Sequence, residues 1–148
     1  MTETDTILRV LFLCTHNAAR SQMAEAFLHH YAGDRFEVLS AGLVPTQVHP
    51  LTRQVLTETG LDPSRLRAKG LNDVLGRVRI QHAIIVCDQG EEDCPRLYPF
   101  ALHTLYWPFD DPTQAEGSQE ERLRIFRAVR DQIAHRVRAW LFTLADSA

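Results

Sequence analysis

The chain has 148 residues, room for one substantial core and too few for two ordinary domains. Its formal charge of −3 excludes the basic excess expected of a general nucleic-acid binder. No apolar run approaches the roughly 18 residues needed to span a bilayer, so no membrane partner is expected either.

The predicted elements alternate. Ile7–Leu13 is an apolar run broken only by Arg9, and it predicts a first buried strand. Residues 20–31 predict a helix with Met23, Phe27 and Tyr31 at i, i+4 and i+8, ended by Gly33. Phe36–Ser40 predicts a short second strand, closed by Ala41-Gly42. Pro50–Thr59 predicts a second helix, with proline in its first turn and Gly60 just past its end. Asn72–Val78 predicts a weak third helix that Gly76 interrupts. Ile80–Val86 and His103–Trp107 predict the third and fourth strands. Ser118 then caps a long final helix, with Glu121 completing a capping box. Leu123, Phe126, Ile133, Val137, Trp140 and Leu144 form its buried stripe, and arginines 122, 124, 127, 130, 136 and 138 a mostly solvated face. Strands alternating with helices imply right-handed βαβ units, hence an α/β fold with a four-stranded parallel sheet and helices on both faces. Four strands are too few for a dinucleotide fold, and no G-x-G-x-x-G is present. The expectation is one domain over residues 1–148.

Between the first strand and the first helix lies Cys14-Thr15-His16-Asn17-Ala18-Ala19-Arg20-Ser21. A helix N-terminus presents unpaired backbone N–H groups and the positive end of its dipole, which together make an anion site. The same field favours a thiolate over a thiol. Arg20 adds a planar fork able to grip two oxygens of a tetrahedral oxyanion. Ser21 can donate a hydrogen bond to the thiolate. Cysteines at strand ends are often merely buried, and Cys, five residues, then Arg is a weak pattern alone. Its placement between strand and helix singles out Cys14 as a nucleophile facing a phosphate-like anion, with the loop Thr15 to Ser21 around that anion.

Laying the reactive residues on the strand pattern adds a coincidence. Cys14 follows strand one, Cys87 strand three and Asp110-Asp111-Pro112 strand four, and in a parallel sheet all three lie at the carboxyl edge, where open α/β sheets bind ligands. Cys94 comes seven residues after Cys87. In a continuous helix that spacing separates the Cα atoms by about 10 Å, whereas a disulfide needs roughly 4.4–6.8 Å. The two can bond only if the segment is looped or melts, which Gly90 and Pro95 would permit. The acidic neighbours Asp88, Glu91, Glu92 and Asp93 disfavour a thiolate at Cys94, as suits a late resolving thiol. Met1–Thr6 is polar and lacks the basic and apolar regions of a signal peptide. The expected location is therefore the cytoplasm, where structural disulfides are rare and three cysteines read as reacting thiols.

Taken together these residues resemble the arsenate reductases built on the low-molecular-weight protein tyrosine phosphatase fold, usually described as thioredoxin-coupled. The resemblance runs from Leu8 to about Leu144. It rests on Cys14 through Glu25, Ser40-Ala41-Gly42, Cys87 with Cys94-Pro95, Trp107-Pro108-Phe109-Asp110-Asp111-Pro112 and Glu116-Gly117-Ser118. It implies that Cys14 is the nucleophile, Arg20 the oxyanion clamp, Asn17 and Ser21 the loop-shaping and thiolate-stabilising positions, and Asp111 the general acid. It implies that Cys87 and Cys94 are redox cysteines that pass a disulfide from Cys14–Cys87 to Cys87–Cys94, where an external reductant reaches it. The substrate implied is arsenate, with phosphate or sulfate as competing oxyanions, and the partner is thioredoxin or another thiol reductant. No cofactor and no metal is expected, since thiols supply both electrons and histidines 29, 30, 49, 82, 103 and 135 show no ligand spacing. A monomer is expected. Many relatives carry Gly-Asn-Ser-Cys where this chain has His16-Asn17-Ala18-Ala19, and His16 reads as an exposed loop histidine. Two other readings use the same residues. A phosphatase would need Cys14, Arg20 and Asp111 but neither Cys87 nor Cys94, and Thr113-Gln114 after Pro112 offers no aromatic ring to sandwich a phosphotyrosine. A non-catalytic oxyanion-binding module would need none of the thiols.

Overall fold

The computed structural model describes residues 8–74, 79–88, 90–95 and 98–146. Strand β1 (Leu8–Cys14) leads into helix α1 (Arg20–Ala32), followed by β2 (Phe36–Gly42) and α2 (Pro50–Thr57). After short 3-10 turns at Pro63–Arg65 and Leu71–Asp73 come β3 (Ile80–Ile85) and β4 (Ala101–Tyr106), a 3-10 turn at Pro112–Gln114, and the long helix α3 (Gln119–Asp146). The sheet order is β2-β1-β3-β4 and every pairing is parallel. Leu13 is in register with Ala41 and Ile85, and Ile85 with Tyr106, so the carboxyl ends of all four strands form one edge.

The two central strands are buried on both faces, as parallel strands must be. Val10 to Leu13 and Ala83 to Ile85 are fully enclosed. On one face α1 and α3 pack together over the sheet. Trp140 of α3 meets Phe36 of β2 at 5.8 Å, His82 of β3 at 5.1 Å and Trp107 beyond β4 at 5.9 Å between ring centroids. Leu123, Phe126, Ile133 and Val137 are buried as the periodicity requires, with Val129 and Ala134 filling the gaps. Ser118 Oγ accepts from Glu121 N at 3.1 Å while Glu121 Oε1 accepts from Ser118 N at 2.9 Å, so the capping box forms.

Three expectations shift. In α1 the buried row includes Ala24, Leu28 and Ala32, whereas Tyr31 is 36% exposed. The first turn buries Arg20, Ser21 and Gln22 among polar partners, so apolar periodicity describes only the rest of the helix. Helix α2 ends at Thr57, two residues early, and Gly60 completes the turn at a φ of +87°, which glycine adopts without strain. The weak third helix is a single 3-10 turn at Leu71–Asp73, and residues 75–78 lie outside the described set. Among the described residues no helix is long and apolar enough to cross a membrane.

Candidate active site

The loop after β1 is held from outside by its carbonyls. Those of Cys14, Thr15 and His16 accept from Leu43 N, Val44 N and Thr46 N, at 3.2, 2.9 and 3.1 Å. That of Ala18 accepts from His49 N and from Thr52 Oγ1, each at 3.0 Å. Asn17 N donates to Cys14 Sγ at 3.2 Å. Gly42 allows the close approach, because a Cβ there would lie 2.8 Å from both Asn17 N and the His16 carbonyl carbon. His49 caps α2 as well: its Nδ1 accepts from Leu51 N at 3.1 Å, which requires an unprotonated ring nitrogen. Burial and the nearby Arg122 lower the His49 pKa in keeping with that role.

Asn17 is the hinge of this loop. It is fully buried and sits at φ +54°, a left-handed conformation that asparagine tolerates better than most residues. Its Nδ2 donates to Ser21 Oγ at 2.7 Å and Ser40 Oγ at 3.0 Å. Its Oδ1 accepts from Gln22 Nε2 at 2.9 Å and Lys69 N at 2.8 Å, and the backbone donor fixes which way the amide points. Because Ser21 Oγ already accepts from Asn17, its proton is free for Cys14 Sγ at 2.9 Å. Behind this network Ser40 Oγ donates to Glu25 Oε1 at 2.5 Å, and Lys69 Nζ lies 3.7 Å from the same carboxylate. Burial lowers the Lys69 pKa, with Glu25 opposing that shift.

Cys14 is a free thiol, 2% exposed, at the floor of the loop. Arg20 opens α1, whose first turn carries no acidic residue and whose N-cap makes no side-chain bond. Arg20 NH1 donates to the Phe109 carbonyl at 3.1 Å, and NH2 lies 3.6 Å from Asp111 Oδ2. Asp111 is fixed by Thr113 N at 3.0 Å and Thr113 Oγ1 at 2.7 Å. Thr113 thus orients the carboxylate, a role the sequence reading did not assign. His16 is half-buried, its Nδ1 donating to the Val44 carbonyl at 2.9 Å, so it braces the loop instead of standing free in solvent.

Cys87 and Cys94 are joined in a disulfide, with Cα atoms 5.8 Å apart. The described residues between them form turns and bends with no helix, the condition the spacing argument set for bonding. The sulfurs are not presented to solvent, since Cys87 is 1% and Cys94 6% exposed. The acidic run between them points two ways. Glu92 and Asp93 are exposed, but Glu91 turns in onto the anion loop. Arg20 NH1 donates to Glu91 Oε2 at 2.5 Å and NH2 to Oε1 at 2.9 Å, with Thr15 Oγ1 on Oε1 at 3.0 Å. Arg20 and its hydrogen bonds outweigh burial and hold the Glu91 pKa below the usual carboxylate value. Burial likewise opposes the Arg20 charge, but Glu91, Cys14 and Asp111 outweigh it and raise its pKa. Nothing in the sequence distinguishes Glu91 from Glu92, because only the fold decides which side chain faces inward. The space left among Cys14, His16, Arg20 and Asp111 is about 10 Å³.

A family model for low molecular weight phosphotyrosine protein phosphatases matches residues 9–148. The chain belongs to that family. Among characterised members it is similar to an arsenate reductase of Shouchella clausii, 37% identical over 90% of this chain and 95% of the relative. A solved structure described as an arsenate reductase in the phosphate binding state superimposes with a TM-score of 0.77 at 27% identity, covering 93% of this chain and 98% of that one. A thioredoxin-dependent arsenate reductase of Corynebacterium glutamicum gives a TM-score of 0.69 at 31% identity, covering 96% of this chain and 64% of that one. In this member of the family, Cys14, Arg20 and Asp111 share their sheet edge with a second pair of cysteines, Cys87 and Cys94. Among its described residues no group of three or more His, Cys, Asp or Glu side chains is placed to hold a metal ion.

Proposed function

We propose that this chain is an arsenate reductase that passes electrons through three thiols. The observation that carries the reading is a free Cys14 inside an oxyanion loop beside a Cys87–Cys94 disulfide on the adjacent strand end. A phosphatase needs only the first of these.

Loop N–H groups and Arg20 hold arsenate, and Cys14 thiolate forms a sulfur–arsenic bond while one arsenate oxygen leaves with a proton from Asp111. Ser21 and Asn17 N stabilise the thiolate that starts the step. Cys87 thiolate then attacks the Cys14 sulfur. The sulfur–arsenic bond breaks with its electron pair remaining on arsenic, so As(V) becomes As(III) and a Cys14–Cys87 disulfide forms. Cys94 attacks Cys87, releasing Cys14 and forming Cys87–Cys94, the bonding pattern present in this structure. An external dithiol, thioredoxin or a thiol of similar reach, returns two electrons and becomes a disulfide itself. Every residue in the scheme comes from one chain, as a monomer would require. A reducing cytoplasm that renews the donor suits such a cycle.

The test is direct. NADPH consumption with thioredoxin and thioredoxin reductase should depend on added arsenate. Hydrolysis of an aryl phosphate by the same loop should be detectable but slow. Aryl phosphate turnover with no arsenate-dependent NADPH consumption would make the chain a phosphatase.

A further inference from the structure

The relay leaves a problem that Glu91 answers. Once Cys87 and Cys94 are joined, Cys14 is free and its oxyanion loop is intact. A second arsenate could then bond to Cys14 with no internal thiol available to release arsenite. We propose that Glu91 is a built-in oxyanion substitute that closes the anion site while the Cys87–Cys94 disulfide exists, and that reduction withdraws it. The inference rests on the arsenate-reductase reading and adds regulation of that same site.

Four observations support it. Glu91 meets Arg20 fork to fork, NH1 on one carboxylate oxygen and NH2 on the other, the bidentate geometry an oxyanion would require of the same two nitrogens. Carboxylate and substrate are therefore mutually exclusive on Arg20. Asp88 N at 3.1 Å and Thr15 Oγ1 at 3.0 Å complete the set of donors around the two oxygens. The space left beside the Glu91–Arg20 pair, lined by Cys14, His16, Arg20 and Asp111, is small, about 10 Å³. Finally, Glu91 lies inside the disulfide-closed segment, so the bond restricts where its carboxylate can go. The same turn carries Glu91 N to Asp88 O at 3.0 Å and Cys94 N to Glu91 O at 3.3 Å, which tie carboxylate and Cys94 into one unit.

The buried disulfide gives the device a second consequence. A reductant must open the segment to reach sulfurs that are 1% and 6% exposed as residues, and that opening carries Glu91 off Arg20. Reduction adds two electrons and two protons to the disulfide, supplied by the dithiol donor. Site reopening and cysteine regeneration are then one movement, so arsenate is admitted only when the relay is loaded.

Calorimetric titration of inorganic phosphate into full-length protein separates the possibilities without requiring arsenate turnover. A carboxylate seated about nine-tenths of the time lowers the apparent affinity about tenfold, so the disulfide form should bind phosphate about tenfold more weakly than the reduced form. Oxidised Glu91→Gln, and Glu91→Ala as a second variant, should bind as tightly as reduced wild type, while the reduced variants should match it. Equal affinity of the two wild-type redox forms would overturn the proposal. So would weak binding that persists in both oxidised variants, which would assign the block to the loop and not to the carboxylate. Failure of reduced wild type to bind phosphate at all would instead overturn the oxyanion-site reading beneath it.

Discussion

Residues 14–21 and 87–94 both leave carboxyl ends of neighbouring central strands, yet they are stabilised in different ways. The first is fixed redundantly. Four of its carbonyls are bonded to the β2–α2 connection, and buried Asn17 alone makes four side-chain bonds. The second is closed by one covalent bond, and among its described residues Glu91 ties it to the first through Arg20 and Thr15. The difference matches what each must do. An oxyanion loop must present the same donors in every cycle, so its shape is over-determined. A segment proposed to carry a thiol from one partner to another needs two accessible shapes.

The largest effect should come from Cys14, the proposed nucleophile of the fixed loop. Cys14→Ser should abolish arsenate reduction and aryl phosphate hydrolysis together, because a serine hydroxyl without a paired base is a far poorer nucleophile. Phosphate should still bind the reduced variant, which calorimetry would show. Measurable turnover would place the nucleophile elsewhere.

In the second loop, Cys94→Ser should stop the cycle after one arsenate, leaving a Cys14–Cys87 disulfide detectable in peptides by mass spectrometry. Aryl phosphate hydrolysis by the reduced variant should be largely retained. Normal multiple turnover with thioredoxin would remove Cys94 from the relay.

Arg20→Lys keeps the charge but loses the fork, and should lower kcat for arsenate about a hundredfold, in the range found for losing one transition-state donor. Near-normal steady-state kinetics would show that the loop amides suffice.

Stability should divide the two regions last and least. Asn17→Ala leaves Lys69 N without its side-chain acceptor and keeps a positive φ without asparagine's compensation, costing about 1–3 kcal/mol in urea unfolding of the reduced protein. Glu92→Ala and Asp93→Ala, both on the exposed side of the second loop, should stay within about 0.5 kcal/mol. A comparable loss at all three would mean the second loop is as tightly determined as the first.

Much of this was legible before any coordinates. The apolar runs at 7–13 and 80–86, the Ser118–Glu121 box and the stripe on the final helix encode elements through local periodicity and capping. Boundaries slipped by only one or two residues. Cys14, Arg20, Cys87 and Asp111 could be brought to one edge from chain order alone, because parallel strands align their carboxyl ends. Local pattern failed where a buried segment is polar. The first turn of α1 packs Ser21 and Gln22 into a hydrogen-bond network, and no hydrophobic period marks such residues.

What the sequence by itself determined, then, was the element order, the sheet edge and the chemistry available there, since these depend on residue type and spacing along the chain. Tertiary structure alone decided that Lys69 N closes the Asn17 network from 52 residues away and that Thr113 sets the Asp111 carboxylate. It also decided that Glu91, not Glu92 or Asp93, turns onto Arg20 across 71 residues. A side chain's direction at a turn is set by what packs around it, and in a run of similar acidic residues the sequence carries no periodic signal to say which one will point inward.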